Sequence, residues 1–190
     1  MAETRLHDAG GLHQAWPALL VIATTGSSVV FACAVPFAAF GVLAAMTLSR
    51  ADALRITVVL WLTNQAVGYL LLGYPRTVNS VAWGLILGGV AIVSLLVAQR
   101  IASTLRTAPA VLCALAAFGG SFLVYEALLY VFAVGGLGGT SSFAPAIVGR
   151  IVAVNAVALG GLFGLYRLGV VLGVSRPRVP AAAPARPASS

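Results

Sequence analysis

The stretch ALLVIATTGSSVVFACAVPFAAFGVLAAMTL, residues 18–48, runs for 31 residues without a charged side chain. A membrane-spanning helix needs about 20 mainly apolar residues, so this run is suited to lipid. As one helix at about 1.5 Å per residue it would extend roughly 46 Å, well past a ~30 Å hydrocarbon core. Pro36 interrupts it, and a proline inside a helix removes one backbone hydrogen bond and clashes with the preceding turn. The segment is therefore either one tilted, kinked helix or a broken, re-entrant pair. Two full spans are disfavoured, because each half would offer only about 15 residues.

The rest of the chain has the same character. Of 190 residues, 61% are hydrophobic and 8% charged, with a mean hydropathy of +1.04. A soluble domain carries about 25% charged residues, and this chain has too few polar groups to cover a water-facing surface. Four further apolar runs follow, at about 53–74, 78–98, 109–134 and 145–174. The expected fold is all-α: a polytopic transmembrane helix bundle of five spans, or six if the first run crosses twice. A polar segment, 1–17, precedes the bundle. It lacks the basic n-region and A-x-A site of a removable signal peptide, so the first run is expected to be retained. Residues 175–190 are rich in Pro, Ala, Arg and Ser and are expected to be disordered, having little apolar surface to bury.

Eleven basic and four acidic residues give a net charge of +7 and a pI near 10.5. All the basic residues are arginines, and they punctuate the apolar runs. That pattern indicates membrane orientation and not nucleic-acid binding. With five spans, Arg50, Arg55, Arg100, Arg106, Arg167, Arg176, Arg178 and Arg186 share one side, against Arg5, Arg76 and Arg150 on the other. Positive charge accumulates on the cytoplasmic side. This predicts a multi-pass protein of a bacterial cytoplasmic (inner) membrane with a cytoplasmic C-terminus.

Polar groups inside a membrane are costly and often functional. Glu126 is the one acidic residue within any run, and Arg150 lies near the start of the next. Helical rise places them about 12 Å and 8 Å below the same face, so the two are expected to pair. Asn155 is one turn further in, Asn64 and Gln65 approach from the second run, and Tyr130 shares the Glu126 face at i+4. Together Asn64, Gln65, Glu126, Tyr130, Arg150 and Asn155 form a candidate small-molecule pocket in the outer half of the membrane, where a few polar groups amid apolar walls could orient a ligand. The plainer reading of the same residues is a set of bonds that staple helices together.

Enzyme signatures are absent: there is no P-loop, HExxH or G-x-S-x-G. Ser121 in the Gly-Gly-Ser at 119–121 has no membrane histidine to activate it, because His7 and His13 precede the first run. Cys33 and Cys113 sit in apolar runs, at no metal-ligand spacing, and read as small packing residues. No catalytic residue, metal site or cofactor is expected. Small residues crowd the first run (Ala32, Ala34, Ala38, Ala39, Gly41, Ala44, Ala45) and the last (Gly160, Gly161, Gly164), as close helix contacts in lipid require.

The tract Trp61-Leu-Thr-Asn64-Gln65-Ala-Val-Gly68-Tyr69, followed by Tyr74-Pro75 and Trp83-Gly84, resembles the substrate-binding S-components of energy-coupling factor transporters. By architecture the resemblance extends over residues 18–172. It implies binding of a vitamin or metal-related substrate near the outer face. It also implies an alanine-rich first helix that contacts a transmembrane coupling protein, with separate ATPases driving transport. Such components have six helices, where five runs are easier to count here, and no substrate-specific motif transfers. The expected partners are the lipid bilayer, a membrane subunit on the first helix and a small-molecule ligand, with no nucleic acid. The expected function is small-molecule uptake; the alternative is a non-catalytic accessory or assembly subunit.

Overall fold

A computed structural model describes residues 36–171. Segment 1–17, the first apolar run before Pro36, the tail 175–190, His7, His13 and Cys33 lie outside the described residues. Within them the chain is helical throughout: α1 (Phe37–Thr47), α2 (Arg50–Leu70), α3 (Val78–Thr104), α4 (Ala110–Phe132) and α5 (Pro145–Val171). A π-turn (Ala133–Leu137) and a 3-10 turn (Thr140–Phe143) join the last two.

Three helices are long and apolar enough to cross a membrane: α3, α4 continued through its π-turn to Leu137, and α5. Of the five expected spans, these are the three shown among the described residues. α2 has 21 residues, enough for about 31 Å, but Arg55, Asn64 and Gln65 dilute its apolar character. α1 is apolar up to its last residue, Thr47, yet has 11 residues, a length of only about 16 Å.

Pro36 has φ −78° and ψ 61°, outside the helical region, and α1 begins directly after it. α1 therefore does not extend back through Pro36. Every residue from Phe37 to Ala44 is buried, as befits a helix that is apolar on all sides. α1 packs against each of the other four helices, and α3 also packs along α4 and α2. α5 rests chiefly on α1 and has little direct contact with α4.

Small side chains set these approaches. The buried face of α3 runs through Gly84, Gly88, Ala91, Ser94, Leu95 and Ala98, and that of α4 through Cys113, Ala114, Ala117 and Ser121. Where the two faces meet, the Ser94 hydroxyl donates to the Ser121 carbonyl at 3.2 Å. The Ser121 hydroxyl donates to the Phe118 carbonyl, also at 3.2 Å. Ser121 is thus occupied as a packing residue.

The loops are closed by local hydrogen bonds. Thr77 Oγ1 accepts from the Ser80 amide and caps α3. The hydroxyls of Tyr69 and Ser80 meet at 3.1 Å across the α2–α3 turn. The glycine-rich segment 135–144 is wound into the π- and 3-10 turns. Gly136, Gly138 and Gly139 adopt φ of 122°, 76° and 85°, conformations that favour residues without a Cβ. Tyr130 and Phe143 close the hairpin edge to face, with centroids 5.2 Å apart.

Ser49 begins α2 with a reciprocal cap. Its Oγ accepts from the Asp52 amide at 3.1 Å and donates to Asp52 Oδ2 at 2.6 Å, while Arg55 Nη1 donates to Oδ1 at 3.0 Å. The Ser49 hydrogen bond, with help from Arg55, holds the Asp52 carboxyl below its ordinary pKa. A carboxylate depressed in the folded state adds stability above its unfolded value of about 4, and the gain is lost as pH falls through the lower folded value. Thermal unfolding of the wild type and Asp52→Asn should therefore converge as pH drops below about 4. Ser49→Ala should cost about 1 kcal/mol at neutral pH.

Candidate functional site

The six residues expected to line an outer-half pocket are placed in three separate settings. Asn155 is 2% exposed and bridges α5 to α1. Its Oδ1 accepts from the Ala39 amide at 3.3 Å, and its Nδ2 donates to the Ile151 carbonyl at 3.0 Å. Ala39 is the third residue of α1, so its amide is among the first four that have no carbonyl partner within the helix. Asn155 caps a helix from across the bundle.

Gln65 and Asn64 are half-buried on α2. The Gln65 amide oxygen lies against Gly84, where a Cβ would collide with it. One turn on, Trp61 Nε1 donates to the Gly84 carbonyl at 2.7 Å. This part of the Trp61–Tyr69 tract is therefore the α2–α3 contact.

Glu126, half-buried, Tyr130 and Arg150, both exposed, complete the set. The expected Glu126–Arg150 pair does not form. The ion pair found among the described residues is Asp52–Arg55. The reason is topological: α5 leans on α1 instead of on its sequence neighbour α4, so equal depth does not bring the two side chains together. Arg150, less than two turns into α5, has a side chain long enough to carry its charge towards the membrane surface.

A cavity of about 760 Å³ lies at the other end of the bundle. Its walls come from the end of α1 (Ala45, Met46, Leu48), the start of α2 (Arg50), the end of α3 (Leu96, Gln99, Arg100, Ser103), the α3–α4 turn (Leu105, Arg106) and the start of α4 (Ala110, Cys113). Three of the arginines assigned to one side from sequence thus surround one space. Gln99 is the residue that sequence reasoning passed over. It marks the end of the third apolar run, and only its position beside Arg100 hinted at more. Both its side-chain Oε1 and Nε2 are buried without a hydrogen-bond partner.

No protein-family model, curated protein or solved structure matches this chain. The functional reading therefore rests on this geometry and on the sequence.

Proposed function

We propose that this chain is a non-catalytic subunit of a membrane assembly, with the arginine-rich end of the bundle in the cytoplasm. α3, α4 and α5 span the membrane, and α2 crosses as a fourth span from about Ala53. The observation that carries the reading is the outer face of α5. Gly149, Ala153, Ala156, Gly160 and Gly164 fall at spacings of three or four residues, and all are exposed. Among the described residues nothing approaches the positions that Cβ atoms would take on Gly149, Gly160 or Gly164. A small-residue face without a partner among the described residues suits close approach by a helix of another membrane subunit.

The intramembrane polar groups support an assembly role over small-molecule uptake, because Asn155, Gln65 and Trp61 are engaged in contacts between helices. Uptake from the outer face would need the six predicted residues to converge.

Gly160→Leu combined with Gly164→Leu should abolish a cross-linked or native-gel assembly in membranes while leaving the detergent-purified monomer as thermostable as the wild type. An unchanged assembly in the double variant would remove the case for α5 as a docking helix. Retention of a vitamin-like molecule by the purified protein, lost in Glu126→Gln, would instead favour uptake.

A further inference from the structure

We propose that the arginine-lined cavity binds a phosphate group, and that the group is carried by the headgroup of an anionic phospholipid. Four observations lead to this reading. Arg50, Arg100 and Arg106 all contribute to the cavity wall, and the carboxylate nearest in sequence, Asp52, is already held by Ser49 and Arg55. The Arg106 Nε donates to the Ser103 carbonyl at 3.1 Å, which fixes the side chain on the rim and leaves its terminal nitrogens for a ligand. The first turn of α4 opens on the same space through Ala110. It has no side-chain cap, and free amides at a helix start favour an anion. Gln99 lines the cavity, yet its amide bonds nothing. A change of side-chain rotamer that turns the amide into the cavity would let its Nε2 donate to a phosphate oxygen.

The cavity is also apolar in the right place. Ala45, Met46, Leu48, Leu96 and Leu105 stand beside the arginines, giving acyl chains a surface to follow below the headgroup. It lies where α3 ends and α4 begins, at the ends of two helices long enough to span the membrane, the level at which lipid phosphates sit. Basic pockets between helices at the cytoplasmic face are suited to such headgroups. A soluble phosphoester shares the phosphate chemistry but would make no use of the apolar wall.

The test uses the full chain, purified in mild detergent and exchanged into defined lipid. Native mass spectrometry with phosphatidylglycerol and phosphatidylcholine offered together should show preferential retention of the anionic lipid. Arg100→Ala with Arg106→Ala should weaken that retention roughly 30-fold. Gln99→Leu, close in volume and free of the unpaired amide, should also lower it while leaving helical content and elution unchanged, so misfolding cannot explain the loss. Glycerol 3-phosphate provides the soluble arm and should neither raise the melting temperature nor displace the lipid. Equal retention of the two lipids, or undiminished retention in both variants, would overturn the proposal. Stabilisation by glycerol 3-phosphate without lipid preference would overturn the lipid as source.

Discussion

Gly88→Ala is expected to destabilise the bundle by about 1–3 kcal/mol, the usual cost of forcing a methyl group into a packed core, and Gly88→Leu by more. A Cβ on Gly88 would stand 2.6 Å from Trp61 Cε2 and 2.7 Å from its Nε1. The indole cannot simply swing aside, because its N–H is bonded to the Gly84 carbonyl at 2.7 Å. Moving it would break that bond and disturb the central cluster of Phe40, Leu43, Leu60 and Ala91 on which Trp61 packs. Gly89 is an internal control: it is exposed, and a Cβ there meets nothing within 4 Å. Gly89→Ala should be neutral or stabilising, since alanine is the better helix former by about 1 kcal/mol. Thermal unfolding in detergent measures both variants, and the Trp61 emission should shift to the red only in the Gly88 series. Equal behaviour of Gly88→Ala and Gly89→Ala would show that the α2–α3 contact is looser than its geometry implies.

This contact also shows how far the sequence could be read. The helical class followed from apolar runs too long for anything but membrane helices, and α3, α4 and α5 lie where those runs placed them. The three arginines around the cavity were already assigned to one side by their spacing alone. What the runs could not convey was which helices touch. Glu126 and Arg150 were matched on depth and on adjacency in sequence, but α1, a half-length helix beginning at a proline, takes the place beside α5. Packing order depends on the shapes of faces such as Gly84–Gly88 and Ala114–Ala117, and shape has no signature in hydropathy. The Trp61–Tyr69 tract stood out for the same reason. Its tryptophan and glutamine are unusual in an apolar run because they interlock with α3, and Gly68 makes room for the Tyr74 ring of the α2–α3 turn. Gln99 was overlooked because a polar residue at the end of a run looks like a boundary; only the folded bundle shows its amide buried and unpaired.

Asn155 should prove the most sensitive polar residue in the described bundle. Replacing it with leucine keeps the volume near its original value but leaves the Ala39 amide without a partner at the start of α1. An unmet amide costs about 1–3 kcal/mol in a protein interior, and interhelical polar contacts in membranes are commonly worth about 0.6–2 kcal/mol, so a loss of roughly 1–2 kcal/mol is expected. The sharper test is Asn155→Asp. A carboxylate could still accept from Ala39, but it would also face the Ile151 carbonyl, to which the native amide nitrogen donates. A charge buried there without a counter-charge is also costly. Asn155→Asp should therefore be less stable than Asn155→Leu at neutral pH. Hydrogen exchange at the Ala39 amide should accelerate in both variants. If the Leu variant keeps wild-type protection at Ala39 and a wild-type melting temperature, the cross-bundle cap contributes nothing, and α1 must be held by its apolar faces alone.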